Sequence, residues 1–175
     1  GWNVVRLNQR NCGGTEHLTP GLYHSGLTED PRTIIRMLVD EDGVRAVGVV
    51  GYSLGGNLTL KIAAELGASA ALPIFGAVAI SPTMELDRCV KAIERRSNFV
   101  YQWNFVRSLK ARMRRKAKRF PSLFALDGIG AVRTVRAFDD AFTAPHHGFR
   151  DADDYYFRAS ALRVAANITL PTLII

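Results

Sequence analysis

Apolar and polar positions run along the chain in two alternating rhythms. Val44-Arg-Ala-Val-Gly-Val-Val-Gly51 is a short β-branched run ending in glycine, and from Leu54 apolar residues recur at helical spacing through Ala64. That order predicts a strand, a very tight turn and a helix. Further apolar runs predict strands over residues 1–7 and 72–80, and one that has just begun over 170–175. Thr28-Glu-Asp-Pro31 predicts a helix start, with Thr28 as N-cap, acids in the first turn and Gly43 closing the helix. Strand alternating with helix argues for an α/β fold, its parallel sheet covered on both faces.

Beyond residue 84 the rhythm changes, and no convincing strand appears until about 166. Helices are expected over 86–96, 99–119, 132–142 and 152–162. A long helical insertion between strands reads as a cap or lid. The expected organisation is one partial domain over 1–175: core strands, loop and tight turn in 1–83, a helical cap in 84–166 and a returning core strand in 167–175. Both ends fall inside strand-like runs, so the chain reads as a piece of a longer protein.

The tight turn carries the chemistry. Gly51-Tyr-Ser53-Leu-Gly55, set between strand and helix, has the spacing of a nucleophile elbow. A serine there needs a strained backbone, and the residues two positions either side must lack bulk, which Gly51 and Gly55 satisfy. The turn would present the Ser53 hydroxyl at a helix N-terminus, where the Leu54 N–H faces a developing oxyanion. A phosphate-binding loop would need Lys-Ser or Lys-Thr after its last glycine, whereas Asn57-Leu58 follows Gly56. The G-x-G-x-x-G dinucleotide fingerprint is absent. The bland alternative is a glycine-rich turn with an incidental serine.

Composition narrows the class. At 175 residues, 47% hydrophobic and 22% charged, the chain is ordinary for a globular domain. No stretch is apolar enough to span a bilayer, and none reads as a signal peptide. Cys12 and Cys89 lack metal-ligand spacing and suggest reduced thiols in a cytoplasmic protein. The net charge of +7 is local: eight cations lie in 107–119, and the remaining 15 bases face 16 acids. As a helix, this run would place Phe105, Leu109, Met113 and Phe120 on one face. The cations could form a solvated face, a surface for anionic membrane or substrate, or a nucleic-acid patch. Tyr101 and Trp103 precede the run without interleaving, which disfavours nucleic acid.

Other candidates read as structural. Asp139 or Asp140 with His146 or His147 would complete a Ser–Asp–His order with Ser53, but they sit in the helical insertion, away from strand ends. His24 precedes the serine and suits bonding within its own loop. Asp151, Asp153 and Asp154 have the spacing of acids at a helix N-terminus, with no calcium-type loop after them, so no metal or other cofactor is expected. Cys12 lies near Arg10, yet a packed thiol suits it better than a second nucleophile.

Several separate motifs then coincide: Asn8-x-Arg10…Cys12-Gly-Gly, Tyr23-His-Ser-Gly26, Gly51-Tyr-Ser-Leu-Gly-Gly-Asn57, Arg136-Ala-Phe-Asp-Asp140, Thr143-Ala-Pro-x-His-Gly-Phe149 and Asp151-Ala-Asp-Asp-Tyr-Tyr156. Together they resemble the YheT/EMB8-like α/β-hydrolases over nearly the whole chain, with Asn11 standing where relatives tend to have glycine. The resemblance implies an α/β-hydrolase fold, a serine nucleophile at Ser53, and esterase activity on short-chain acyl esters or acylglycerol-like lipids. It also implies that the second oxyanion donor precedes Gly1 and that the triad acid and histidine follow Ile175. An acyltransferase on the same fold, or a binding module that keeps the fold without catalysis, are the alternatives.

Overall fold

The computed structural model describes residues 1–66 and 72–175. In chain order they form helix α1 (Glu29–Asp40), strand β1 (Val47–Tyr52), helix α2 (Leu54–Leu66), strand β2 (Ile74–Ile80), helices α3 (Leu86–Ile93) and α4 (Phe99–Arg119), short helices α5 (Val135–Phe138) and α6 (Ala144–His146), helix α7 (Ala152–Ala159) and strand β3 (Thr172–Ile174). A π-helical turn, Asp139–Thr143, joins α5 to α6. These residues group into two compact units, one of Gly1–Tyr23 with Val90–Ala152, the other of His24–Cys89 with Asp153–Ile175.

The second unit holds the sheet. Its three strands are parallel in the order β1-β2-β3. Gly51 stands opposite Ala79 and Val50 opposite Val78, while Val78 in turn faces Leu173. α2 packs on the face carrying Gly51 and Ala79, where Leu60, Ala79 and Ala161 are fully buried with Met84 and Ile168 against them. α2 is buried from Gly56 to Ala64, Asn57, Thr59 and Lys61 included. Val50, Tyr52 and Leu173 share the opposite face by alternation and are exposed among the described residues.

Two expectations change here. Residues 1–7 pair with no strand among the described residues, and Trp2, Val4 and Val5 are exposed. A β-branched run becomes a strand only where a neighbour takes its N–H and C=O groups. Thr28 precedes α1 but makes no side-chain cap; its hydroxyl donates to Glu65 Oε2 on α2 at 2.6 Å.

The first unit is built around α4, whose 21 residues match the expected span at both ends. Val106, Met113 and Ala117 of α4 pack with Phe124, Ile129, Val132 and Phe138, and Leu109 and Phe120 lean on the same cluster. Phe105, expected on that face, is half exposed; Val106 takes its place, one residue on. The helix expected over 132–142 starts later, at Val135, because Thr134 caps α5 by accepting from the Ala137 N–H, and it runs on through the π turn and α6 to His146.

Lys116 is buried in this unit despite lying in the basic run. Its ammonium donates to the Asn11 side-chain oxygen and to the carbonyls of Glu16 (3.2 Å) and Thr19. Three acceptors replace its hydration. Asn11 adopts φ +66°, a conformation that glycine and asparagine reach at least cost, and its amide donates to the Gly21 carbonyl at 3.0 Å. Asn11 thus meets the demand of a left-handed position and adds two side-chain bonds.

Candidate active site

Ser53 sits between the last residue of β1 and the first of α2 with φ +51°, a left-handed conformation that serine rarely adopts. Two bonds tie this turn to the end of β2: the Ser53 N–H donates to the Ile80 carbonyl at 2.9 Å, and the Ser53 carbonyl accepts from Thr83 N–H at 3.3 Å. The same carbonyl accepts the first α2 bond, from Asn57 N–H at 3.1 Å. The serine is exposed, and its hydroxyl has no hydrogen-bond partner among the described residues. It lies at the carboxyl ends of parallel strands, the edge at which ligands bind in open α/β sheets.

The turn is tight because backbone meets backbone. A Cβ built on Gly51 would lie 2.1 Å from the Gly55 carbonyl oxygen and 2.4 Å from Thr59 Oγ1. Gly56 is nearly as confined, against Pro82 Cβ at 2.9 Å and the Gly51 carbonyl at 3.2 Å. Gly55, expected to need the same space, would meet nothing within 4 Å among the described residues. Its part in the close approach is its carbonyl, so the steric demand falls on Gly51 and Gly56. The Leu54 N–H opens α2 without an intrahelical acceptor, as the first amides of a helix do, and lies beside the serine at the positive end of the helix dipole.

Asn57, to which the sequence pattern assigns no role, ties this unit together through its side chain. It is fully buried. Its amide donates to the carbonyls of Ser25 (2.8 Å) and Ala159 (2.9 Å), and its oxygen accepts from Ala161 N–H at 2.7 Å. Tyr155 adds a second tie, accepting from Ser25 N–H at 3.0 Å and donating to Ser25 Oγ at 2.8 Å. An asparagine inside the first turn of a helix rich in leucine and alanine is the signal the sequence offers.

The remaining candidates are engaged elsewhere. His24 accepts from the Gly26 N–H at 3.1 Å within its own loop and meets the Tyr155 ring edge-on. In the helical unit, Asp139 accepts from the Thr143 hydroxyl at 2.6 Å, and Asp140 accepts from the Ala152 N–H at 2.7 Å, at the start of α7. Asp153 and Asp154 lie in the first turn of α7, and Asp154 pairs with Arg158 at 3.4 Å. His146 Nε2 accepts from Leu22 N–H at 3.3 Å and its ring stacks on Phe124. Burial, with Lys116 and Arg10 adding to it, holds the His146 imidazole below its usual range. Burial, then His146 and Arg10, lowers His147 to about 4. The cation beside Cys12 is Arg112, at 3.8 Å from Sγ, and burial nonetheless pushes that thiol up.

A family model described as alpha/beta hydrolase family matches residues 1–174. Among curated proteins, the chain is 38% identical over 177 residues to "Putative esterase YheT" of Escherichia coli strain K12, covering all of this chain and 52% of that protein. It is 26% identical to "Phospholipase ABHD3" of Mus musculus, over 99% of this chain and 42% of the relative. Its identity to "Monoacylglycerol lipase" of Saccharomyces cerevisiae is 25%, over 94% of this chain and 38% of that one. The chain thus spans about half the length, or less, of these relatives. No solved structure matches it.

Proposed function

Since the chain belongs to the alpha/beta hydrolase family, we propose that it carries the nucleophile, Ser53, of a serine hydrolase that cleaves carboxylic esters. The substrates in this reading are short-chain acyl esters or acylglycerol-like lipids. The observation that carries it is the φ of +51° at Ser53, held in a turn where Gly51 is pressed against the Gly55 carbonyl. A strained serine at a strand-to-helix turn is what a nucleophile elbow requires. Relatives named esterase, phospholipase and lipase support the ester class.

In the proposed reaction the Ser53 oxygen attacks the ester carbonyl and loses its proton to a histidine. The tetrahedral oxyanion accepts from the Leu54 N–H, the alcohol leaves, and water then clears the acyl-enzyme. His24, the histidine in the same unit as Ser53, bonds within its own loop, and the reading assigns base, acid and second oxyanion donor to residues outside these 175. Residues 84–166 take the place of that fold's cap, inserted between β2 and β3. Free thiols at Cys12 and Cys89 are consistent with a cytoplasmic setting, and no helix among the described residues is long and apolar enough to cross a membrane.

Labelling with a fluorophosphonate serine-hydrolase probe tests the assignment. The complete protein should label and its Ser53→Ala variant should not. A folded complete protein that fails to label, or labels equally without Ser53, overturns it.

A further inference from the structure

We propose that a groove along α4 seats the headgroup of an anionic bilayer lipid and so docks the protein on membranes that carry one. The groove has a volume of about 410 Å³, within the size range of ligand sites. Buried Val106 and Val132 line its apolar part, while Phe99 and Trp103, 67% and 59% exposed, stand at it from the first two turns of the helix. Arg107, Lys110 and Arg114 of α4 line it as well, with Arg133 from the segment after Val132.

Three of them, Arg107, Lys110 and Arg114, belong to the basic run but differ from its Arg112, Arg115 and Lys116. Arg112 donates to the Tyr23 hydroxyl at 3.0 Å, Arg115 pairs with Glu16 at 2.6 Å, and Lys116 is buried among its acceptors. These three hold the unit together. None of Arg107, Lys110, Arg114 and Arg133 pairs with a carboxylate among the described residues. Lys110 and Arg133 reach only the carbonyls of Gly130 and Val132, and Arg107 lies over the Trp103 ring at 5.3 Å. An anion is the missing partner. Gln102 also lines the groove, and its side-chain oxygen is buried without a hydrogen-bond partner, which suits an anionic headgroup that also carries a hydroxyl.

A bilayer lipid fits better than a free anion or a nucleic acid. Phe99, Val100, Tyr101, Trp103 and Phe105 are all exposed on the helix that carries the cations. Exposed aromatics beside unneutralised arginine and lysine are the chemistry of a membrane interface, where rings enter the headgroup layer and cations meet phosphate. Of the eight cations of the basic run, Arg107, Lys110 and Arg114 line the groove. The contact is the groove side of α4, independent of the chemistry at Ser53.

The test uses the complete protein with vesicles of phosphatidylcholine alone, or of an equal mixture with phosphatidylglycerol. Sedimentation with the mixed vesicles only, weakened by salt, is expected. The Arg107→Glu/Arg114→Glu variant should lose at least about tenfold in partitioning. Arg133→Glu, which lies off α4, should weaken binding in the same direction with an unchanged melting temperature. Tryptophan fluorescence should shift to the blue on mixed vesicles, and the shift should be lost in the Trp103→Phe variant. Equal binding to phosphatidylcholine, or indifference to Arg133→Glu, overturns the proposal. Release from the vesicles by free glycerol phosphate, or by duplex DNA, at matched phosphate concentration would also overturn it, in favour of a single-anion or nucleic-acid site.

Discussion

The side chain of Asn57 is wholly buried four residues beyond Ser53, and its amide reaches back to the Ser25 carbonyl at 2.8 Å. This bond, with those to Ala159 and Ala161, joins the helix that follows the serine to two segments remote in sequence. Replacing Asn57 with alanine leaves three buried backbone groups unsatisfied, and each such group costs about 1–3 kcal/mol. Asn57→Ala should destabilise the complete protein by about 3 kcal/mol or more in chemical denaturation. Asn57→Asp should be no better, since it exchanges the two donated bonds for buried charge. A loss within 1 kcal/mol, on the scale of about one ordinary hydrogen bond, would show that the three groups find other partners.

Strain at Ser53 predicts a trade between stability and activity. The left-handed conformation costs a residue with a Cβ about 1 kcal/mol relative to glycine. Ser53→Gly should therefore raise stability by about that amount while abolishing fluorophosphonate labelling, and Ser53→Ala should abolish labelling without the gain. Thermal melting of the three proteins side by side decides it.

The turn glycines should separate cleanly. Gly51→Ala drives a methyl into the Gly55 carbonyl and should cost at least about 3 kcal/mol or prevent folding. Gly56→Ala has to displace Pro82 and should cost about 1–3 kcal/mol. Gly55→Ala should leave stability within about 0.5 kcal/mol or raise it. Urea midpoints give the order, and a Gly55 variant as unstable as the Gly51 variant would contradict the geometry.

How far the sequence reveals these features depends on how local their causes are. α4 is legible from 99 to 119 because its cause is the residue pattern within the segment itself. Ser53 is legible because a strained turn needs glycines at fixed offsets. Trp2 to Leu7 misleads, since a strand is defined by a partner the run cannot name. Lys116 hides among seven other cations because its burial depends on the carbonyls of Glu16 and Thr19, about a hundred residues earlier. The role of Asn57 likewise needs Ala159 and Ala161, whose positions only the fold supplies. The motif spacing points to Gly55 for the close approach, and only the positions of Pro82 and the Gly51 carbonyl move that demand to Gly56.

His147 should make the protein acid-sensitive. Its folded value of about 4 lies below the 6.5 of a free imidazole, so between those values the unfolded chain binds a proton that the folded chain does not. Stability from this group is complete above about pH 6.5 and is lost as pH falls towards 4. His147→Gln should flatten the fall in melting temperature over that window. An unchanged slope in the variant would assign the acid sensitivity to other groups.

Ala77 of β2 pairs with Thr172 of β3, so adjacent strands are separated by nearly the whole second half of the chain. During synthesis at about 5–20 residues per second, β2 waits on the order of 5–20 s for its neighbour. Throughout that interval an apolar strand edge stands open beside the newly made serine turn, while the helices of residues 90–152 can already close on their own core. Pairing of β3 with β2 is then a late, long-range step of folding. Changes in the short strand Thr172–Ile174 should therefore tell first on yield from the ribosome, as aggregation or chaperone demand, before they register in the finished protein.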